Sequence, residues 1–214
     1  MNKTPLSYVK GYSEAIQNGF IEKGKQAETI QLIVREANRM ERLTNELLQL
    51  ARTENQQKEM LVYPIPLAET LREVEQILTH QAQKKKITLQ LTVDESLIVE
   101  ADEEKLKRIF INIIENAINY SYEQSTVQIE AMEQDGFAHI TVVDFGIGIP
   151  AEDLAHVTER FYRVNKARSR FDGGSGLGLS IVDQLVKQLQ AKIEIESTLN
   201  KGTKVRITMP LMEE

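Results

Sequence analysis

Apolar residues recur at helical spacing from the sixth residue on. Leu6, Val9, Tyr12, Ile16 and Phe20 fall on one face, which predicts an amphipathic helix from Thr4 to about Ile21. Pro5 sits in its first turn, where proline is tolerated because the missing N–H has no helical acceptor. A short polar connection, Glu22 to Lys25, leads to a second and longer pattern. There Ile33, Ala37, Met40, Thr44, Leu47 and Ala51 alternate in steps of four and three, the spacing of a coiled-coil seam. Two helices joined by a tight loop cannot shield such a seam by themselves, so a dimeric four-helix bundle is expected. A hairpin packed on its own C-terminal domain is the alternative.

Near residue 60 the pattern changes. "LVYPI" reads as a short edge strand, because Pro64 cannot donate to a ladder, and Pro66 then suits a helix start before Leu67, Leu71, Val74 and Leu78. "ITLQLTV" alternates with period two and "LIVEA" follows, after which Asp102 is placed to cap the helix "EEKLKRIFINIIENAINY". "STVQIEAME" and "GFAHITVVD" flank "QDG", a hairpin signal. A lid-like stretch, a helix from about Gly176 to Gln190 and the strands "KIEIES" and "TKVRITM" complete the chain. The fold class is α+β: a helical hairpin over residues 1–58, then an α/β sandwich over 59–214 with helices on one face of a mixed sheet.

Composition narrows the field. The net charge of −6 over 214 residues argues against a general nucleic-acid binder but allows a local basic pocket for a phosphorylated ligand. There is no cysteine, hence no disulfide framework and no thiolate chemistry, which fits a reducing compartment. No apolar run approaches membrane-spanning length and the first residues do not form a signal peptide, so the chain reads as soluble.

Three constellations carry chemistry. In "DFGIGIP", Asp144 to Pro150, two glycines directly after an apolar strand let the backbone approach a ligand, and the carboxylate can accept a hydrogen bond from an exocyclic amine. A plain strand-ending turn would look the same. "GGSGLGLSIV", Gly173 to Val182, is a glycine-rich loop opening a helix, which presents N–H groups and the positive end of the helix dipole to phosphate oxygens. It meets neither the G-x-G-x-x-G spacing nor the P-loop pattern, and a flexible connector is its plainer reading. In "NIIENAINY", Asn112 and Asn116 are four apart and share a helix face while Ile113, Ile114 and Ala117 face the core. Side-chain amide oxygens there can complete the octahedron of Mg²⁺, although a solvated face would also carry two asparagines.

The order of these motifs, with "ERFYRV" between the glycine boxes and "NKGTKVRITMP" at the end, resembles the ATP-binding domain of sensor histidine kinases of two-component systems, in the Bergerat fold shared with gyrase-type ATPases. The hairpin resembles their dimerisation and histidine-phosphotransfer domain. The resemblance implies that Asp144 recognises the adenine amine, with Gly146 and Gly148 shaping the pocket and Tyr120 close to base or ribose. It implies that Asn116, helped by Asn112, holds Mg²⁺ on the ATP phosphates, and that Gly174, Ser175, Gly176, Leu177 and Gly178 cradle those phosphates. Arg163 would reach the γ-phosphate from the lid, and Phe161 would pack the lid against the domain. Asn119 stands at the nucleotide where many relatives carry a phosphate-directed lysine, which leaves Arg163 more to do. "LQAK", Leu189 to Lys192, replaces a frequent histidine and glycine pair and reads as a turn variation. Phosphoryl transfer is mostly positioning and charge stabilisation, so the residue types suit the chemistry.

The opening "KTPLSYVKGYSEA" matches the downstream half of the family's H-E-x-x-T-P motif: Thr4, which the resemblance places with the catalytic groups, and Pro5 align, and the phosphorylated histidine falls just before Met1. His80, His139 and His156 sit in no such motif and read as structural or solvated. The expectation is a cytoplasmic core whose parent has upstream sensor and membrane segments. It would act as a homodimer, pass phosphate to the receiver domain of a response regulator, and be unable to autophosphorylate without the histidine. A gyrase-type or mismatch-repair ATPase is the competing class. Those relatives carry a water-activating glutamate where this chain has Asn112, which favours transfer to a protein acceptor. A non-catalytic scaffold would have degenerate glycine boxes, and these are intact.

Overall fold

The computed structural model describes residues 5–55, 61–164 and 175–212. The chain divides into two compact units, Met1–Gln57 and Lys58–Glu214.

In the first unit, helix α1 (Pro5–Gln17) lies along helix α2 (Gln26–Asn55), joined through a turn of 3₁₀ helix at Lys23–Lys25. Gly19, at φ 72°, lets the chain reverse after α1, and the Phe20 N–H closes that cap on the Ala15 carbonyl at 2.9 Å. The expected seam splits between two faces. Ile33 and Met40 are half-buried, whereas Ala37 and Thr44 are exposed. The apolar residues that share that open side are Ile30, Val34 and Leu48, 50%, 51% and 52% exposed. Residues 30, 34, 37, 44 and 48 keep heptad spacing, so a seam exists, shifted from the one the pattern suggested. Thr4 and the side chains of Leu47 and Ala51 lie outside the described residues.

The second unit is a two-layer sandwich. A five-stranded sheet has the order β2 (Thr88–Val93), β4 (Thr126–Gln134), β5 (Phe137–Asp144), β7 (Gly202–Pro210), β6 (Lys192–Thr198); β2 and β4 run parallel and the other neighbours antiparallel. A separate antiparallel ribbon pairs β1 (Tyr63–Pro66) with β3 (Ile98–Ala101). Helices α3 (Leu67–Lys84), α4 (Glu103–Tyr120) and α5 (Gly178–Gln188) cover one face. The reason is visible in their patterns: α4 buries Leu106, Ile109, Phe110, Ile113, Ile114, Ala117 and Ile118 in a single stripe against the inward row of β5, Ala138, Ile140 and Val142. Phe110 is fully buried, and truncating such a ring costs about 3–5 kcal/mol.

Local signals set the element ends. The Asp102 carboxylate accepts from the Lys105 N–H at 3.1 Å and caps α4. Asp135 and Gly136, at φ 54° and 79°, form the tight β4–β5 turn that "QDG" predicts. In "LQAK" the left-handed position after α5 is held by Gln190 at φ 53°, in agreement with a turn variation. Helix α5 is shorter than expected, beginning at Gly178 because Gly176 and Leu177 are still part of the loop. Among the described residues no helix is long and apolar enough to cross a membrane.

Candidate nucleotide-binding site

Asp144 ends the central strand β5 and points inward, only 6% exposed. Its Oδ1 accepts the Gly146 N–H at 3.0 Å. Burial pushes its carboxyl up to about 6, while the Gly146 N–H and the N–H and hydroxyl of Thr203 pull it back. A buried carboxyl fixed by protein donors retains acceptor capacity for a donor from a ligand.

Three backbone segments converge beside it. A Cβ on Gly146 would lie 2.0 Å from the Tyr120 carbonyl oxygen, one on Gly148 (φ 63°) 2.0 Å from that of Thr198, and one on Gly202 (φ 116°) 1.9 Å from that of Asp144 itself. Real Cβ atoms do not come so near, so glycine is required at all three. The knot is tied by the Ile147 N–H to the Tyr120 carbonyl at 3.1 Å, the Asn200 N–H to the Ile147 carbonyl at 2.7 Å, and the bridge between Ser121 and Gly146.

The asparagine face of α4 meets the second glycine loop at the start of α5. A Cβ on Gly178 would be 3.1 Å from Asn112 Oδ1 and 3.6 Å from Asn116 Nδ2. Asn112 donates its Nδ2 to the Arg108 carbonyl at 2.8 Å, which turns the amide oxygen toward Gly178. Leu177 is fully buried and anchors the loop, and its N–H donates to the Ser175 hydroxyl at 3.1 Å. Asn112, Asn116, Gly176 and Gly178 therefore surround the N-terminus of α5, where unpaired helix amides favour an anion.

The remaining expected residues are placed as follows. Tyr120 is partly exposed at the knot. The Asn119 side chain turns to α3, where its Oδ1 accepts from Gln81 Nε2 at 3.4 Å. Phe161, at φ 64°, donates its N–H to the Gly176 carbonyl at 2.9 Å, which joins the two ends of the lid stretch. Its ring is 53% exposed, so the tie here is made by backbone and not by the apolar packing expected of it. Arg163 is half-buried, and Gly174, like Thr4, lies outside the described residues. His139 accepts or donates with the Thr208 hydroxyl at 3.2 Å and His156 pairs with Glu159 at 2.7 Å, both away from these loops in sequence.

Two residues at the site are given no role by the sequence reading. Thr203, paired with Asp144 across β5 and β7, sits beside the carboxylate, and its hydroxyl bonds the Ser197 hydroxyl at 3.0 Å. Ser197 in turn accepts the Ile149 N–H at 2.8 Å, so it braces the first glycine loop. The signal was available in the alternation, since both are polar at inward positions otherwise filled by Ile193, Ile195, Val205 and Ile207.

Comparison with known proteins matches both parts of the chain to described families. Residues 101–213 match the family described as histidine kinase-, DNA gyrase B-, and HSP90-like ATPase, and residues 3–56 match the His Kinase A (phospho-acceptor) domain. The chain is 37% identical over 210 residues to the sensor histidine kinase YclK of Bacillus subtilis, covering 98% of this chain and 44% of that protein. It is 38% identical over 213 residues to YkoH of the same organism, covering 99% and 45%. It thus spans less than half the length of these relatives. Among solved structures, the Acinetobacter baumannii histidine kinase AdeS superposes with a TM-score of 0.77 at 20% identity, over 98% of this chain and 96% of that one. ShkA, solved in complex with AMPPNP, does so with 0.73 at 25% identity, over 99% and 44%. ThkA, solved in complex with the response regulator protein TrrA, gives 0.78 at 23%, over 97% and 58%. With its fold, its two glycine loops and both domain matches in agreement, the chain belongs to the histidine kinase-, DNA gyrase B- and HSP90-like ATPase family and carries a His Kinase A (phospho-acceptor) domain ahead of the ATPase-like one.

Proposed function

We propose that the chain binds ATP with Mg²⁺ in its second unit and directs the γ-phosphate to a histidine, from which a response-regulator aspartate receives it. The observation that carries this is the meeting of the Asn112 and Asn116 face with Gly178 at the start of α5, on the same domain as a buried Asp144 that can read an exocyclic amine. The donor set suits the metal. Amide oxygens are hard neutral ligands, and Mg²⁺ takes the rest of its octahedron from phosphates and water. Among the described residues no group of three His, Asp or Glu competes for it. Asn112 and Asn116 would hold the ion, which when bound supplies charge neutralisation on the phosphates. Arg163 would add a guanidinium to the γ-phosphate, and Asp144 with Thr203 would fix the base. With Asn112 in place of a carboxylate, no general base is aimed at water, so transfer is favoured over hydrolysis.

The exposed Ile30, Val34 and Leu48 stripe supports a homodimer through the hairpin. The AMPPNP complex of ShkA and the response-regulator complex of ThkA support ATP and a receiver domain as ligand and partner. A cytoplasmic setting belongs to this reading, because ATP is its substrate.

The test is radiolabelled ATP given to this chain and to a version carrying a histidine in register ahead of Met1, followed by gels under neutral and acidic conditions. Acid-labile label only on the extended version supports the reading. Rapid phosphate release by the chain as it stands would favour the ATPase class instead.

A further inference from the structure

A helix leaves its last carbonyls without helical partners, and at α4 those of Ile118, Asn119 and Tyr120 can be traced. The Ala117 carbonyl accepts the Ser121 N–H at 3.0 Å, and that of Tyr120 accepts the Ile147 N–H of the first glycine loop at 3.1 Å. The two between them, Ile118 and Asn119, both accept from Lys85 Nζ, the former at 3.4 Å. A cation at the negative end of a helix dipole is favourable, and here it comes from a different helix.

Lys85 is itself held in place. It is the C-cap residue just after α3, and the chain then turns at Lys86, φ 59°, with the Ile87 N–H returning to the Ala82 carbonyl at 2.9 Å. Its stem is half-buried. One turn earlier on α3, Gln81 Nε2 donates to Glu115 Oε1 at 3.3 Å and to Asn119 Oδ1 at 3.4 Å, locking the same stretch of α4 from the side. Lys85 and the first glycine loop thus complete one helix end between them.

We infer that Lys85 is a positioning residue for the nucleotide site: its ammonium finishes the C-terminal turn of α4 and so sets Tyr120 and the Gly146 to Gly148 loop that is bonded to it. This rests on the nucleotide reading above. Lys85 acts through Tyr120 and Ile147, on the side of the site where Asp144 reads the base, so its loss affects every adenine nucleotide alike.

The test is Lys85→Met, which keeps the apolar stem and removes the donor, with Lys85→Arg as the conservative partner. Calorimetric titration with ATP, ADP and AMP in the presence of Mg²⁺ should show all three Kd values raised by one common factor, about three- to tenfold for a helix-end cation. Lys85→Arg should recover most of that loss. In the nucleotide-free protein, amide exchange at Ser121 and Ile147 should quicken in Lys85→Met while exchange in the Phe110 region of α4 stays as in the wild type. Unchanged Kd values, or unchanged exchange at those amides, overturns the inference. A loss that grows from AMP to ATP also overturns it, because Lys85 would then be a phosphate ligand. A folded wild type that binds none of the three nucleotides refutes the site reading itself, and the exchange result then decides by itself whether Lys85 holds the helix end.

Discussion

The two glycine loops look alike as sequence, yet the structure uses them in different ways. At the first, Gly146 and Gly148 are pressed against backbone: carbonyl oxygens of Tyr120 and Thr198 stand 2.0 Å from where a Cβ would be. At the second, a Cβ on Gly176 would meet the Tyr162 carbonyl oxygen at 2.8 Å, and one on Gly178 only side chains, Asn112 at 3.1 Å and Asn116 at 3.6 Å. Backbone neighbours that are bonded to one another cannot retreat, whereas a side-chain amide can move by a few tenths of an ångström. The first loop is therefore a fixture of the fold that holds Asp144, and in the second Gly176 is held in the same way against backbone while Gly178 alone faces side chains that can adapt to a ligand.

Alanine substitutions break this contrast most directly. Gly148→Ala places a Cβ both in the left-handed region and against a backbone carbonyl, and should destabilise the domain by about 3 kcal/mol or more, read as a lower urea midpoint at unchanged slope. Gly146→Ala, whose φ is ordinary, isolates the contact alone and should still be severe. A mild effect at both would mean that the first loop yields as readily as the second.

A second prediction uses the carboxyl that the rigid loop buries. Because burial raises Asp144 from 3.8 to about 6, the folded state holds this proton more tightly than the unfolded chain. Its contribution to stability is fully present below pH 3.8 and is lost as pH rises through about 6, in total about 3 kcal/mol at most. The chain has many other carboxyls, so the quantity to measure is the wild type minus Asp144→Asn in urea melts at pH 4 and pH 7.5. The wild type should lose more on going to the higher pH. An equal pH slope in the two proteins would place the carboxyl in a wetter setting than the knot provides.

The smallest stability effect is expected at the second loop. Gly178→Ala should destabilise the domain by less than about 1 kcal/mol in urea melts, since Asn112 can give way, yet weaken ATP about tenfold by displacing the amide oxygen from the phosphate end. A variant that loses stability and affinity in proportion would make this loop as rigid as the first. At the hairpin, Val34→Lys should convert a dimer to a monomer in light scattering, because a charge would sit in the apolar stripe.

Much of this was legible in the sequence, for identifiable reasons. The helices α4 and α5 and the hairpin of β4 and β5 follow from strong periodicity and from Asp102, Asp135 and Gly136, each acting over a few residues. The asparagine pair was legible because a spacing of four fixes a shared face. What escaped depends on tertiary partners. On α2 two apolar stripes run three residues apart, Ile30 with Val34 and Ile33 with Met40, and only the position of α1 decides which one is covered. Asn119 reads as a site residue from its place in the motif, but Gln81, far away in sequence, draws it to α3. Ser197 belongs to no motif and Thr203 lies in "NKGTKVRITMP" without a role there, so the meaning of both comes from strand register, which places them in the row of Asp144.

The account stands or falls on the carboxylate at the end of β5, and calorimetric titration of the protein with MgATP at pH 7.5, wild type beside Asp144→Asn, tests it most directly. The wild type should bind one nucleotide per chain. The variant should lose about 10- to 150-fold in affinity, the range for a hydrogen bond to a charged group. A folded wild type that does not bind ATP, or a variant that binds it equally well, would contradict the account.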